Sequence, residues 1–521
     1  MEKVSATHFL RFWAVLGLFA LVLIWFLPWR FQTNDDELMM WLVSGAYTGT
    51  PESYAVFIHP ILSWIFSELY TALPDVPWYP LTWFGVLYLS YLGIVISLTL
   101  TESASNFKQL FILFVLLLVL HFGITLQFTV VAGMAGFSGM LLFEVGRKNN
   151  SLLMPGFSLL LLIFSILIRW ESFFLISLGY ALYFLCYRSL SEFRLYAKFF
   201  ILPALLFLVL FGGKLLWEKQ ADYLDFIAYN KARAAVSDHP VTHRLISEMQ
   251  PEEEPTWFYF SQWMMENDRL TTQDLLERKI VLDSMFFSLE QLNHSFARLI
   301  SILKTEAFKS VFTLLFFFLY FYRFRFSKNS LFFFLAWILF FITFNHFYVL
   351  NGRVIILYLF PFWFPFILEE ASSSLSKKNS LLSSYLLLLL FGYHFFSFLT
   401  VSKGREIMQR EFESLTAQLP EQSLLVLEGY KENYLGIKFS KDNPVSLLSL
   451  GWISKSPFQT KKLEQLGLQV ISDADEYYLI GVDIHEEYFF PDYMNYVGEG
   501  YQLESKTELD NFILFHYIRT N

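Results

Sequence analysis

Three consecutive residues with carboxylate side chains, Asp35-Asp36-Glu37, are candidates for proton-transfer chemistry. They closely follow the apolar run 9–29, which is long enough to cross a bilayer, so they emerge at a membrane surface. A carboxylate there can take a proton from a hydroxyl group, and repulsion between neighbours can raise the pKa of one of them. The alternative is that they only cap a helix beginning at Asn34 or Asp35. Glu37 is expected to be a solvated residue of the first helical turn.

Cationic side chains in short turns between apolar runs are candidates for binding an anion such as a phosphate group. Arg353 lies in such a turn between two apolar runs, and the alternative is an arginine that reaches for lipid headgroups. Arg169 and Glu171 share another short turn, where they either pair with each other or line a substrate cleft. His59 precedes Pro60 at a predicted helix start, where it either lines the cleft or contacts a phosphate.

Metal and disulfide chemistry have little support in the sequence. His239 and His243 are four residues apart, but Pro240 between them argues against a regular helical metal pair. A single cysteine, Cys186, excludes an internal disulfide framework and a cysteine metal cluster. We expect no structural metal and no cofactor, while the adjacent carboxylates leave room for a divalent cation.

Composition indicates an integral membrane protein of mainly α fold. The 521 residues are 55% hydrophobic, 20% aromatic and only 16% charged, which is too apolar for a typical soluble protein. No Walker-type glycine loop is present, and no nucleic-acid partner is expected. About eleven transmembrane helices are predicted from apolar runs. The runs are 9–29, 79–100, 109–127, 129–146, 152–168, 172–187, 197–216, 308–325, 331–349, 354–370 and 379–398.

The distribution of Lys and Arg predicts the orientation in the membrane. With a cytoplasmic N-terminus, the short outer turns receive only Arg30, Arg169 and Arg353, which fits the positive-inside rule. The inner loops are short, so substrate chemistry is expected outside the cell or near the outer surface of a bacterial inner or plasma membrane. A transmembrane domain (1–399) and a small extracytoplasmic α/β domain (400–521) are predicted. The outer loops of the first domain are 30–78 and 217–305.

Three local patterns near the first run resemble a known family. They are the acidic triplet, the small-residue turn Ser44-Gly45-Ala46-Tyr47-Thr48-Gly49-Thr50-Pro51 and the helix start His59-Pro60-Ile61-Leu62. Together with the topology, they resemble the GT-C superfamily of membrane glycosyltransferases that use polyprenyl-phosphate sugars. Protein O-mannosyltransferases and lipid A aminoarabinose transferases belong to it. The specific similarity covers about residues 25–90, and Ile61 stands where the family pattern has a second proline.

The resemblance implies an inverting transfer of a sugar from a polyprenyl-phosphate donor to a glycan, lipid or protein acceptor on the outer face. It places the general base among the acidic residues of the first outer loop. We expect Asp35 to be that base and Asp36 to support it. Two alternatives remain open: a transporter or flippase of lipid-linked saccharides, and an O-antigen-type polymerase or ligase. The arginines available to a polymerase or ligase in the second outer loop are Arg233, Arg244, Arg269 and Arg278.

Overall fold

A computed structural model describes most of the chain. The described residues are 2–101, 105–149, 153–188, 190–219, 221–304, 327–350, 352–369, 377–420, 422–428, 444–482 and 488–520. The first ten helices are α1 (Glu2–Trp25), α2 (Asn34–Ser44), α3 (Pro60–Ala72), α4 (Trp78–Leu100), α5 (Ser105–Ile124), α6 (Phe128–Lys148), α7 (Leu153–Tyr187), α8 (Leu190–Trp217), α9 (Ala221–Ser237) and α10 (Pro240–Leu245). The later helices are α11 (Pro255–Ser261), α12 (Thr272–Met285), α13 (Leu289–Ile302), α14 (Lys328–Phe347), α15 (Gly352–Leu359), α16 (Trp363–Leu368), α17 (Lys377–Thr416), α18 (Pro457–Gln465) and α19 (Phe490–Gly498).

The described residues form a mostly helical protein, which confirms the predicted helical class. Seven helices are long and apolar enough to cross a membrane, or eight if α8 and α9, which meet at a bend of 108°, count as one broken span. The seven are Thr7–Trp25, Trp78–Leu100, Asn106–Ile124, Phe128–Lys148, Met154–Tyr187, Lys328–Phe347 and Lys378–Thr416. These apolar helices indicate a membrane protein.

The predicted count of eleven spans differs from this set of seven at four places. The predicted run 197–216 falls in α8, which counts as a span only together with α9. The predicted run 308–325 lies outside the described residues. The run 354–370 corresponds to a shorter apolar piece, Gly352–Leu368, which is broken into α15, a 3₁₀ turn and α16. The runs 152–168 and 172–187 are joined in the single helix α7, whose residue Arg169 has non-helical backbone angles of φ −157° and ψ 96°.

Hydrogen bonds show that α7 doubles back at this kink. Four of them join Ser158 to Gly139, Ser165 to Ala132, Ser172 to Thr129 and Tyr180 to Glu144. Along α7, the bonded residues of α6 run from Gly139 to Thr129, toward the N-terminus of α6, and then return to Glu144 near its C-terminus. The two halves of α7 therefore run in opposite directions along α6, with Arg169 at the turn, as the sequence predicted.

Small residues on α6 permit this close packing. A Cβ atom at Gly139 would lie 3.2 Å from the backbone oxygen of Ser158 and 2.7 Å from the side chain of Leu162. Close helix–helix approach through small residues, with serine hydroxyls bonded across the interface, is a common way to pack helices in membranes. The result is a buried α6 at the centre of the helical unit.

The two ends of the helical unit differ in charge. At one end, which we call the α2 end, the first residue of α6 contacts α2, and Arg353 follows α14. At the other end, the buried Glu144 pairs with Arg147, and Arg188 lies 3.0 Å from Glu369. The predicted outer residues thus lie at the α2 end and the predicted inner arginines at the other.

Two β-sheets accompany the helices. A short parallel pair joins β1 (Arg30–Phe31) to β2 (Thr125–Leu126) beside α2. A four-stranded sheet has the order β3-β4-β6-β5, in which β3 and β4 are parallel and the other pairs antiparallel. Its strands are β3 (Leu424–Glu428), β4 (Glu476–Val482), β5 (Tyr501–Glu508) and β6 (Phe512–Arg519). The predicted domain boundary at 399/400 lies inside α17, and the sheet begins only at β3.

The C-terminal unit packs directly on the segment that follows α2. The backbone N–H of Val445 donates to the carbonyl of Ala46 over 2.9 Å. The hydroxyl of Tyr47 donates to Gln459 over 2.7 Å and accepts from the backbone N–H of Ser449 over 3.0 Å. These bonds hold the sheet unit at the same end of the spans as the acidic residues.

Candidate functional site

The acidic triplet lies at the start of α2, but it does not serve mainly as a cap. Thr33 occupies the extended N-cap position, and no side chain makes a capping hydrogen bond there. Asp36 and Glu37 are buried, because α2 is packed between the helical unit and the C-terminal unit. The expectation that Glu37 is solvated is therefore wrong, and burial raises the pKa of its carboxyl well above the ordinary value.

Asp36 is the most deeply buried carboxylate of the triplet, with no exposed surface. Its Oδ1 accepts a hydrogen bond from the Tyr79 hydroxyl over 3.0 Å. Both carboxylate oxygens face the backbone N–H of Phe128, at 3.2 and 3.3 Å. Phe128 is the first residue of α6, so the positive end of that helix also faces Asp36. The carboxylate thus joins the starts of α2, α4 and α6.

Burial is the main cause of a raised pKa at Asp36. The neighbouring charge of Asp35 raises this pKa further, whereas Tyr79, the Phe128 amide and Arg353 oppose the increase. The net pKa lies well above the ordinary value of an aspartate.

Asp35 differs from Asp36 because its side chain keeps 19% of its surface exposed. Its Oδ2 lies 3.3 Å from Nη1 of Arg353, whose side chain is 25% exposed. Within the described chain, the other N–H groups of Arg353 make no hydrogen bond, so they are free to bind an anion. The structure therefore brings together the predicted base and the predicted phosphate ligand.

A second arginine, Arg233 on α9, belongs to the wider surroundings of the acidic residues. Its charge interacts most with Asp238 and only more weakly with Asp35. The guanidinium is buried, and it donates to Asn230 over 2.8 Å and to Ser237 over 3.1 Å. These bonds fix its position. Among the described residues, Arg353 is the arginine that pairs with Asp35, and the charge of Arg233 acts on Asp35 more weakly.

Arg169 occupies the turn of α7 beside this group. Its Nε lies 3.1 Å from Glu171, which satisfies the predicted local pair. Its guanidinium also stacks over the rings of Phe128 and Phe57, each at 5.5 Å. Phe128 binds Asp36 through its backbone N–H, so Arg169 supports the acidic residues indirectly by packing on the Phe128 ring. Glu171 lies toward the protein surface.

His59 is the N-cap of α3 and uses both ring nitrogens in the fold. Nδ1 accepts from the backbone N–H of Ile61 over 3.1 Å, and Nε2 donates to the carbonyl of Leu210 over 2.9 Å. This assignment, made from the partners, is a neutral imidazole. Burial also lowers the pKa of His59, which favours the neutral form. In this arrangement its ring nitrogens are not available to a phosphate.

His59 instead forms part of the wall of a narrow crevice, which leaves no space for a water-sized sphere. The crevice is lined by Phe57, His59, Ile166, Trp170, Phe211 and Lys214. Lys214 lies 3.6 Å from Glu218, and Glu218 accepts from the Tyr54 hydroxyl over 3.3 Å. Phe57 links the crevice to the acidic group, because Arg169 stacks on it.

Several contributors to the site were missed in the sequence. Tyr79 and the Phe128 amide meet Asp36 from positions 43 and 92 residues away, and no local spacing indicates either contact. Arg233 was considered only for the polymerase or ligase alternative. The ion pair between Lys214 and Glu218 was predictable from the sequence, because opposite charges four residues apart at the end of an apolar run often pair.

The other predicted arginines of the second outer loop have partners elsewhere. Arg244 lies 2.5 Å from Glu290, and Arg278 lies 2.9 Å from Glu254. Arg269 stacks over the ring of Tyr496. Across the ranges that the structure describes, no group of three or more His, Cys, Asp or Glu residues is arranged to hold a metal ion. A cation near the adjacent aspartates remains a hypothesis.

Comparisons of the chain with protein-family models, with curated proteins and with solved structures found no match. The resemblance to the GT-C superfamily therefore remains a hypothesis. It rests on the three local sequence patterns within about residues 25–90 and on the predicted topology.

Proposed function

We propose that the protein is a membrane glycosyltransferase that moves a sugar from a polyprenyl-phosphate donor to an acceptor hydroxyl on the outer face of the membrane. The observation that carries this proposal is the partly exposed pair of Asp35 and Arg353 at the α2 end of the spans. A carboxylate and a guanidinium side by side supply the two functions that the transfer needs, a base and an anion ligand.

The proposed reaction is a single displacement with inversion. Asp35 takes the proton of the acceptor hydroxyl while that oxygen attacks the anomeric carbon. The bond between this carbon and the phosphate oxygen breaks, and the electron pair leaves with the lipid phosphate. Arg353 binds the phosphate through the N–H groups that Asp35 does not use, and so offsets its growing negative charge.

Asp36 has a different role because its carboxylate is fully buried and touches no solvent. It is a positioning residue: its bonds to Tyr79 and to the Phe128 amide fix the start of α2. They thereby hold Asp35 at a constant distance from the helical unit. A base must stay within hydrogen-bond reach of its substrate, so this support matters for the reaction rate.

The outer-face assignment is supported by the charges at the opposite end. Arg147, Lys148 and Arg188 surround Glu144 there, and Lys108 binds the carbonyl of Thr99 over 3.2 Å. Such an excess of cations is typical of the cytoplasmic side. The α2 end then faces outward, where a lipid-carried sugar is accessible and a cytoplasmic sugar nucleotide is not.

The direct test uses the purified protein in lipid nanodiscs. A panel of synthetic short-chain polyprenyl-phosphate sugars is supplied with candidate acceptors, and release of polyprenyl phosphate is measured by mass spectrometry. The proposal predicts release that depends on the protein and on Asp35. Release that is equal with protein and with empty nanodiscs, for the whole panel, would argue against it.

A polymerase or ligase that uses a diphosphate-linked donor is the second candidate, and the position of Arg233 favours it. A second buried cation near Asp35 suits a leaving group with more negative charge. The same assay with polyprenyl-diphosphate saccharides separates the two candidates. If diphosphate donors react and monophosphate donors do not, and Arg233→Gln abolishes that reaction, the second candidate is correct.

A further inference from the structure

Helix α13 exposes a row of large apolar residues, whereas a helix at an aqueous surface usually buries such a row. Leu289, Leu292, Phe296 and Ile300 recur every three or four residues, and Leu289 and Phe296 are 80% and 61% exposed. Its polar Gln291 and Ser295 are turned inward and buried. A helix at an aqueous surface shows the opposite arrangement. The exposed stripe of α13 therefore requires an apolar environment.

The surroundings of α13 identify that environment. Its residues bind the end of α14, a candidate membrane span: Asn345 donates to the carbonyl of Ser295 over 2.9 Å, and His346 contacts the Ser295 hydroxyl at 3.0 Å. Leu335, Leu339 and Ile342 are exposed along α14 and form its lipid-facing side. Helix α13 thus contacts α14 at the end of that span which lies at the α2 end of the helical unit.

Cations gather on the inner side of α13. Arg298 donates to the carbonyls of Asn345 and Tyr348, while its Nε and Nη1 are buried without a hydrogen-bond partner in the described chain. Arg244, which is nine-tenths buried, pairs with Glu290 but leaves its Nε unpaired. Burial, and then the charge of Arg298, lower the pKa of His243 and of His294, so both imidazoles are neutral and the cations here are the two arginines.

The charges in this cluster do not balance. Glu290 pairs with Arg244, and the neutral His243 and His294 add no charge. No carboxylate pairs with Arg298 among the described residues. Guanidinium groups with unused N–H donors at a membrane surface bind phosphate well, because their fork geometry matches phosphate oxygens.

We propose that α13 lies in the membrane interface and that Arg298 and Arg244 bind the phosphate of an anionic phospholipid headgroup in the same leaflet. The apolar stripe enters the acyl region, and the phosphate lies at headgroup depth beside the two arginines. This site is separate from Asp35 and Arg353 and does not depend on the glycosyltransferase proposal.

The depth of α13 is tested by site-directed spin labelling. Cys186 is the single cysteine, so Cys186→Ser gives a background in which Phe296→Cys carries the only nitroxide. In nanodiscs, the label at 296 is expected to be more accessible to oxygen than to a water-soluble nickel complex. Ser505→Cys, on exposed strand β5, is the matched control and should show the reverse. A label at 296 that behaves like the control overturns the proposal.

The headgroup contact is tested by native mass spectrometry of protein from nanodiscs that contain phosphatidylglycerol and phosphatidylcholine. The wild type should retain phosphatidylglycerol preferentially. Arg298→Gln and Arg244→Gln should each reduce this retention about tenfold, the scale of one charge-assisted hydrogen bond. Arg278→Gln, an outer arginine paired with Glu254, should leave it unchanged.

If Arg298→Gln disturbs the end of α14, Arg244→Gln still tests the proposal. Arg244 makes none of the hydrogen bonds that Arg298 donates to the carbonyls of Asn345 and Tyr348. Equal retention of the two lipids by the wild type would overturn the headgroup assignment. Unchanged retention in both folded variants would overturn it as well.

Discussion

The Tyr79 hydroxyl donates a hydrogen bond to Asp36 over 3.0 Å at a point where neither side chain is exposed to solvent. Together with the amide of Phe128, this bond fixes the first turn of α2 to the starts of α4 and α6. The carboxylate that supports the site is therefore protected from water, while its neighbour Asp35 is left partly exposed.

The buried position of Asp36 predicts a specific dependence of stability on pH. Its pKa is raised by folding, so its contribution to stability is complete below about pH 3.9, the ordinary aspartate pKa, and is lost as the pH rises through the folded pKa. Asp36→Asn cannot ionise. The stability of this variant relative to the wild type should therefore increase with pH, by up to about 1.4 kcal/mol for each unit of pKa shift.

Thermal unfolding in detergent, followed by tryptophan fluorescence between pH 5 and pH 9, measures this difference. Asp75→Asn, at an exposed position between α3 and α4, is the control and should follow the wild type at every pH. A difference between Asp36→Asn and the wild type that stays constant with pH would mean that Asp36 titrates as an ordinary aspartate.

Arg353 provides a second prediction. Arg353→Lys keeps the positive charge but loses the guanidinium fork that can bind Asp35 and a phosphate together. We expect transfer to fall by roughly 10- to 100-fold, which corresponds to about 1.5–3 kcal/mol for one charge-assisted contact. Steady-state kinetics with the reactive donor measure it, and Arg278→Lys serves as the matched control. A normal rate and donor affinity in Arg353→Ala would reduce Arg353 to a membrane anchor.

Tyr47 tests the docking of the C-terminal unit. In Tyr47→Phe, the amide of Ser449 loses its acceptor and Gln459 loses a donor, and both groups lie in a buried or partly buried interface. Unpaired groups of this kind cost about 1–3 kcal/mol. We expect a lower unfolding temperature and faster proteolysis between α17 and β3. Unchanged values for both would show that this hydroxyl does not hold the two units together.

The orientation in the membrane is tested by reporter fusions. A reporter attached after Asn521 should be active only outside the cytoplasm, because the C-terminal unit lies at the α2 end. A second reporter inserted after Lys148, at the Glu144 end, should be active only in the cytoplasm. The reverse pattern would remove the argument for a lipid-carried donor.

The sequence predicted the parts of this structure that depend on local composition. Long apolar runs marked most of the helices, and Arg169 marked the turn of α7, because hydropathy and short polar breaks are properties of neighbouring residues. The strands β3 (Leu424–Glu428) and β6 (Phe512–Arg519) are likewise runs of mainly apolar residues, which local composition favours as strands.

Contacts between distant segments were less accessible to sequence reasoning. Asp35 and Arg353 are 318 residues apart, so no local spacing indicates that their side chains pair directly. The burial of Glu37 was missed because its position in the first helical turn says nothing about the units that cover α2. Tertiary packing, and not helix position, decides which carboxylate of the triplet meets solvent.

The central claim is that Asp35 is the general base. Asparagine keeps the size of the side chain, so Asp35→Asn should fold normally while losing the group that accepts the proton. The deciding measurement is the turnover of a polyprenyl-phosphate sugar by purified, folded Asp35→Asn in nanodiscs, beside the wild type. We predict a loss of at least about 100-fold, the usual scale of general base catalysis. Turnover by Asp35→Asn at nearly the wild-type rate would contradict the account.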